Sequence, residues 1–177
     1  MTGDNDNSRE VVVTGLGIIS PVGIGRTAFW ESLAAGQSGI SQVELFDCSI
    51  LPGGVAGEIK EFSDSSARKI FPKAQRKSVK VMCRDIQLGV ASASLALEDS
   101  ALPLGEIDHS RMGVEFGANL MLTPPDTLKD PNEACLDPEQ QFHFEKWGTE
   151  GLGDMEPLWL LKYLPNMPAS HIAIYND

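Results

Sequence analysis

Cysteine is scarce in this chain of 177 residues, and the three that occur (Cys48, Cys83 and Cys135) share no paired spacing. An odd count without a CxxC argues against a disulfide framework, and there is no His/Cys cluster to hold a metal ion. No apolar run approaches the ~18 residues that a membrane-spanning helix needs. The first nine residues, MTGDNDNSR, lack a basic region followed by an apolar stretch, so they read as a disordered polar tail and not as a signal peptide. Basic residues are in deficit too: 14 Lys and Arg face 25 Asp and Glu, for a net charge of −11. That balance argues against nonspecific nucleic-acid binding, which needs clustered cations outnumbering the local acids. Internal repeats are lacking, and so is any Ser/His/Asp spacing that would support a hydrolase. What remains is an ordinary globular composition, long enough for one domain with a hydrophobic core and suited to a reducing, cytoplasmic compartment.

The pattern that is present alternates strand and helix signals. Residues 10–15, EVVVTG, form a β-branched run ending in glycine, as in a strand buried on both faces. A Gly- and Pro-punctuated loop follows. Residues 27–35, TAFWESLAA, then place Phe29, Trp30, Leu33 and Ala34 on one helical face, with Gly36 as the stop. VAGEI at 55–59 suits a short strand. Pro72 opens the longest periodic segment, expected to be one helix to about Ser100, with Val79, Met82, Ile86, Val90, Ala93 and Leu97 in a single stripe. Its small residues between Gly89 and Ala96 allow neighbouring backbones to come close. MGVEF at 112–116 and HIAIY at 171–175 read as further strands, and residues 157–163 as a helical turn. Between Gly117 and about Pro157 periodicity fades, the mark of a functional excursion. The order implies an α/β sheet with crossover helices. The TGLG turn after the first strand invites comparison with a dinucleotide fingerprint. But Gly15 and Gly17 are followed by Ile-Ile-Ser-Pro, and no second strand ends in an acid at the required distance, so a tight loop is expected.

VVVTGLGIISPVG followed by FWESLAAGQSGI resembles the opening of β-ketoacyl-acyl-carrier-protein synthases of the elongating type II class. FDCSILPGGVAGEI, IQLGVASASLALEDSAL, RMGVEFGAN and LPNMPASHIAIY are similar to later family segments in the family's order. The resemblance covers roughly residues 10 to 177 and is weakest between Leu120 and Met155. It implies the N-terminal half of the thiolase-like fold, a mixed and largely parallel sheet with crossover helices, truncated before the nucleophile. It also implies an acyltransferase of fatty-acid or polyketide assembly. An acyl chain is carried on a cysteine, a malonyl-carrier thioester loses carbon dioxide, and the carbanion attacks the acyl group while two histidines stabilise the developing charge. In the family that cysteine lies about a dozen residues beyond the position matched by Asp177, and the histidines lie further on. The chain alone is therefore expected to be inactive, and no cofactor is implied. The implied partners are an acyl carrier protein, acyl and malonyl thioesters, and a second copy or partner subunit, with neither nucleic acid nor membrane. A relative of chain-length-factor type, which keeps the fold and the dimer but lacks the cysteine, stands as the alternative.

No residue in the chain is assigned to catalysis. Cys135 sits beside Glu133 and Asp137, which oppose a thiolate, where a nucleophilic thiol wants a positive setting. Cys83 is expected to pack, His171 to be scaffolding, and His109 and His143 to lie at the surface. Leu120 matches the family's acyl-pocket gate, but Met121 and Leu122 replace the glycines that follow it there, and Pro124-Pro125 stiffens the same loop. The remaining signal is electrostatic. Arg68, Lys69, Lys73, Arg76, Lys77, Lys80 and Arg84 are half of all the basic residues. On a helix the last five would form one stripe with like charges at i,i+4, each pair costing roughly 0.2–0.5 kcal/mol. An acidic carrier protein would relieve that repulsion, which points to Arg76, Lys77, Lys80 and Arg84 as its docking residues.

Overall fold

The computed structural model describes residues 10–50, 52–119 and 121–176. They divide into two compact units, one from the described residues up to Glu61 with Ser92–Ile107 and the other from Phe62–Ala91 with the described residues from Asp108 onward.

The first unit holds two small antiparallel sheets and a helix. Strands β1 (Ile19–Ser20) and β2 (Gly23–Ile24) form a tight hairpin. Helix α1 (Arg26–Ala34) follows and stops where Gly36 takes a left-handed φ of 66°. Strands β3 (Ile40–Gln42) and β4 (Val55–Gly57) pair with Ser41 opposite Ala56. The C-terminal part of helix α3 (Arg84–Ser100) also belongs here. The Thr14–Gly17 loop lies on it so closely that a Cβ at Gly15 would collide with the carbonyl of Ala96, and one at Gly17 with that of Ser92. The small residues of α3 and the glycines of the loop thus meet each other, which is why that turn is glycine-rich. Asp99 ties the same surfaces together: it accepts from the Leu16 N–H at 3.0 Å and pairs with Arg26 at 3.1 Å.

The second unit carries the buried core of the described residues: Phe62, Phe71, Val79, Met82, Ile86, Val90, Met121, Cys135 and Ile172 are its larger members. Helix α2 (Asp64–Ile70), which periodicity did not announce, begins at Ser63, whose Oγ caps the Ser66 N–H. The expected helix from Pro72 to Ser100 is broken. Lys73–Val81 is 3-10 helix, Met82 is extended at φ −119° and ψ 126°, and α3 begins at Arg84. Two valines in three positions weaken the α-form here, and the Met82 carbonyl freed by the break accepts from the buried Gln87 amide at 3.1 Å.

Three expected strands are absent. Residues 10–15 and 112–116 join no ladder among the described residues, and Val11, Val12 and Val13 are exposed. A β-branched run becomes a strand only when something pairs with it. Residues 171–175 lie in helix α5 (Met167–Asn176), where Pro168 occupies the first turn and costs nothing. The only sheets among the described residues are the two antiparallel pairs, so the largely parallel sheet is not seen in them. The excursion after Gly117 is built of short turns and helix α4 (Lys129–Glu133), with a small hairpin in which Leu136 bridges Phe142.

The glycine contact is testable. Gly17→Ala should destabilise the chain by about 3 kcal/mol, the upper end of overpacking costs, seen as a lowered thermal midpoint. Gly105→Ala, with nothing near its would-be Cβ, should change stability by less than about 0.5 kcal/mol.

Candidate functional site

The basic segment belongs to a loop closed at its base. The Arg84 Nη1 donates to the Phe62 carbonyl at 2.9 Å, and its guanidinium lies 5.7 Å from the centroid of the buried Phe62 ring. Beside it, Gln87 Nε2 donates to Asp64 Oδ1 at 3.1 Å. The first turn of α3 thus reaches back to the start of α2. Between these ties, Phe71, Val79 and Met82 anchor the loop in the core. Gln75 Nε2 donates to the Tyr175 carbonyl at the end of α5 at 2.9 Å.

Three residues per turn change the display of charge from the single stripe expected of an α-helix. Lys73, Arg76 and the buried Val79 fall on one row, while Lys77 and Lys80 eclipse each other on a second. Arg76 is half-buried and its Nε donates to the Phe71 carbonyl at 3.2 Å. Lys73, Lys77 and Lys80 are exposed and form no ion pair among the described residues. The four predicted docking residues therefore share one loop but differ in freedom: Arg76 and Arg84 are tethered to backbone carbonyls, whereas Lys77 and Lys80 project unpaired. Phe62 and Phe71, whose carbonyls do the tethering, are site residues that charge patterning could not reveal.

The gate residue Leu120 lies outside the described residues. Its neighbour Met121 is buried, with its sulfur 3.7 Å from Cys83 Sγ, while Leu122 is exposed. Burial pushes the Cys83 thiol above its usual pKa. Cys135 is wholly buried and donates to the Pro131 carbonyl at 3.3 Å, in a pocket that Gly151 closes. Cys48 is half-buried in the first unit, its Sγ near the carbonyls of Val43 and Gly54. Cys83 directly precedes the 17-residue helix α3, and the N–H groups of Ile86 and Asp85 favour its thiolate, but burial outweighs them. His171 is buried against Tyr175, and burial lowers its pKa. Among the described residues no group of His, Cys, Asp and Glu could hold a metal ion, and no helix is long and apolar enough to cross a membrane.

Comparison with known proteins places these features in context. Residues 8–177 match the family model described as Beta-ketoacyl synthase, N-terminal domain. A 3-oxoacyl-[acyl-carrier-protein] synthase 2 of Coxiella burnetii (strain RSA 493 / Nine Mile phase I) is 34% identical over 169 residues, covering 96% of this chain and 36% of that protein. The match thus spans between about a quarter and about a third of the length of the curated relatives. Among solved structures, a β-ketoacyl synthase from Burkholderia phymatum STM815 superposes with a TM-score of 0.63 at 19% identity, over 94% of this chain and 36% of that one. The ishigamide ketosynthase/chain length factor does so with a TM-score of 0.59 at 21% identity, over 93% and 36%. The fold is therefore that of the thiolase-like ketosynthases.

Thiol chemistry checks the account of the cysteines. With a maleimide at pH 7, Cys135 should stay unmodified until the chain is unfolded, and Cys48 should react before Cys83. Fast labelling of native Cys135 would contradict its burial.

Proposed function

The chain belongs to the β-ketoacyl synthase family, and from that membership we propose that it forms the N-terminal part of a 3-oxoacyl-acyl-carrier-protein synthase. Such a protein condenses acyl and malonyl thioesters, with loss of carbon dioxide, in fatty-acid or polyketide synthesis. No catalytic residue is assigned within these 177 residues. The contribution proposed for this part is to bind the acyl carrier protein and to wall part of the acyl pocket, with Leu120 as its gate. A cytoplasmic setting and a dimer, made with a second copy or a related subunit, belong to the same proposal. The exposed rings of Phe142 and Phe144 in the excursion are candidates for that contact.

The observation that carries the docking assignment is the imbalance within residues 62–84: seven basic residues against one acid, Asp64, which is engaged by Gln87. Carrier proteins of this family's pathways are acidic, so exposed and unpaired Lys77 and Lys80 supply attraction where it is not spent internally. Arg76 and Arg84 fix the loop that presents them. One observation favours the alternative, a non-catalytic partner of chain-length-factor type. Met121 replaces a glycine of the gate turn and is buried against Cys83, which suits a rigid or altered pocket better than a moving gate.

Two measurements test this. Titrated with an acyl carrier protein at low ionic strength, the Lys77→Glu, Lys80→Glu double variant should bind about tenfold more weakly or worse, with a flatter salt dependence. Lys129→Glu, at an exposed site on α4 outside the basic loop, should bind as the parent does, and equal binding by all three would overturn the docking assignment. Separately, the chain supplied with carrier-bound acyl and malonyl groups should neither transfer acyl nor release carbon dioxide. Turnover abolished by Cys135→Ala would place the nucleophile inside the chain after all.

A further inference from the structure

The excursion contains a feature that carrier docking and condensation do not use. Residues 135–143 fold into a small hairpin. The His143 N–H donates to the Cys135 carbonyl at 2.9 Å and Leu136 bridges Phe142. The turn itself is built by Asp137. Its carbonyl accepts from the Gln140 N–H at 3.0 Å, its Oδ1 accepts from the Gln141 N–H at 2.8 Å, and Pro138 sets the next φ. Gln140 then adopts a left-handed φ of 61°, as in hairpins where a type I turn runs into a bulge.

The hairpin closes on a single imidazole. His143 Nε2 lies 2.8 Å from Asp137 Oδ2, and His143 Nδ1 lies 3.0 Å from Glu145 Oε1. A neutral imidazole has one N–H and one lone pair, so it can donate to only one of two ionised carboxylates and must turn its lone pair toward the other. Two carboxylate contacts at hydrogen-bond distance therefore call for the imidazolium. The groups around it agree. Among the described residues, Asp137 and Glu145 are the charged groups that face the ring. Lys146 acts on Glu145 and sends its Nζ toward the Leu136 carbonyl at 3.5 Å. On the preceding helix, Lys129 and Glu133 pair with each other at 4.0 Å, and neither they nor Asp130, Glu150 or Asp154 reach the ring.

We propose that His143, held between Asp137 and Glu145, is a proton-dependent clasp that closes the hairpin of residues 135–143 and fixes how the flanking Phe142 and Phe144 are presented. Both of those rings are exposed, Phe144 by 76%, so a change at the clasp alters an apolar surface. Loss of the proton breaks the Glu145 side first, because Glu145 is the more exposed carboxylate (76% against 22% for Asp137) and the longer contact. Asp137 remains tied into the turn by the Gln141 N–H.

The sign of the pH dependence follows from the partners. Hydrogen bonds to Asp137 and then Glu145 raise the His143 pKa above its ordinary 6.5. The stabilisation is therefore complete below about 6.5 and is lost as pH rises through the raised value. The carboxylates act at the other end. The Gln141 N–H and His143 lower the pKa of Asp137, and the Glu145 N–H and His143 lower that of Glu145, so their contribution is lost only on acidification below about 4. The clasp is tightest between roughly pH 5 and 6.5.

Imidazole-detected NMR of the 177-residue chain tests this directly. His143 should carry protons on both ring nitrogens at pH 6 and titrate above 6.5. Protection of the Gln141 and His143 amides, corrected for intrinsic exchange, should fall across that titration, tenfold for each pH unit separating the His143 pKa of the closed and open hairpin. In Glu145→Gln, whose substitution lies on an exposed side chain, the pKa should move back toward 6.5 and the fall in protection should shrink. His143→Gln should remove the pH dependence altogether. A His143 that titrates at or below 6.5, or amide protection that is the same at pH 6 and pH 9, would overturn the clasp.

Discussion

The ties that run from the first turn of α3 back to the start of α2 determine how residues 62–91 are arranged. Arg84 holds the Phe62 carbonyl, and Gln87 holds both Asp64 and the Met82 carbonyl. Gln87 is buried, and a buried carbonyl left without a donor costs about 1–3 kcal/mol. The break between the 3-10 segment and α3 is stable because that cost is avoided. Closing the loop at its base has an electrostatic consequence. The loop's one acid is consumed in holding it shut, so repulsion among the seven basic residues cannot be relieved from within. It persists as a positive field on a chain that is otherwise acidic. At physiological salt that field reaches about 8 Å, far enough to orient an acidic surface and too short to act on the whole molecule.

The apolar stripe through Val79, Met82, Ile86 and Val90 shows what periodicity reports and what it does not. These four are buried, as their spacing implies, while Ala93 and Leu97, which continue the expected stripe, are only half-buried, and the backbone that joins the four is 3-10, then extended, then α-helical. The pattern identifies which side chains face the core and leaves the intervening conformation open. Helix α1 was legible because it depends on neighbours in sequence, and the small residues of α3 announced a close backbone approach without saying that the Gly15–Gly17 turn would make it. The runs at 10–15 and 112–116 could not be judged that way, since a strand is a property of a pair. HIAIY was ambiguous for another reason: Ile, Ala and Ile between His171 and Tyr175 fit a strand or a buried helix equally, and the decisive signal was Pro168 three residues earlier, opening a first helical turn.

The candidate site was legible as composition but not as geometry. Seven bases in seventeen residues stand out in the sequence. That two would be tied to phenylalanine carbonyls while Lys77 and Lys80 stay unpaired depends on the 3-10 repeat and on contacts across the loop. His143 reads correctly as a surface residue. Its two carboxylates stand six residues before and two after it, a spacing that on a strand shares one face but leaves Asp137 about 20 Å away. Only the turn begun by Asp137-Pro138 folds one of them back onto the ring.

One cause underlies both departures at the start of the first unit, the missing ladder and the uncovered valines. Val11, Val12 and Val13 are 97%, 69% and 80% exposed, and no described residue of that unit is fully buried. Burying a valine is worth roughly 1.5–3 kcal/mol, so covering all three would contribute on the order of 5–9 kcal/mol, comparable with the whole stability of a small domain. A single neighbouring strand would satisfy their backbone groups and begin to cover their side chains at once. The β-branched composition of residues 10–15 is therefore matched to an environment that the described residues do not provide. The strand signal and the exposed valines are thus two expressions of one requirement, and residues 112–116 of the second unit, where Met112 and Val114 are exposed and unpaired in any ladder, express it again.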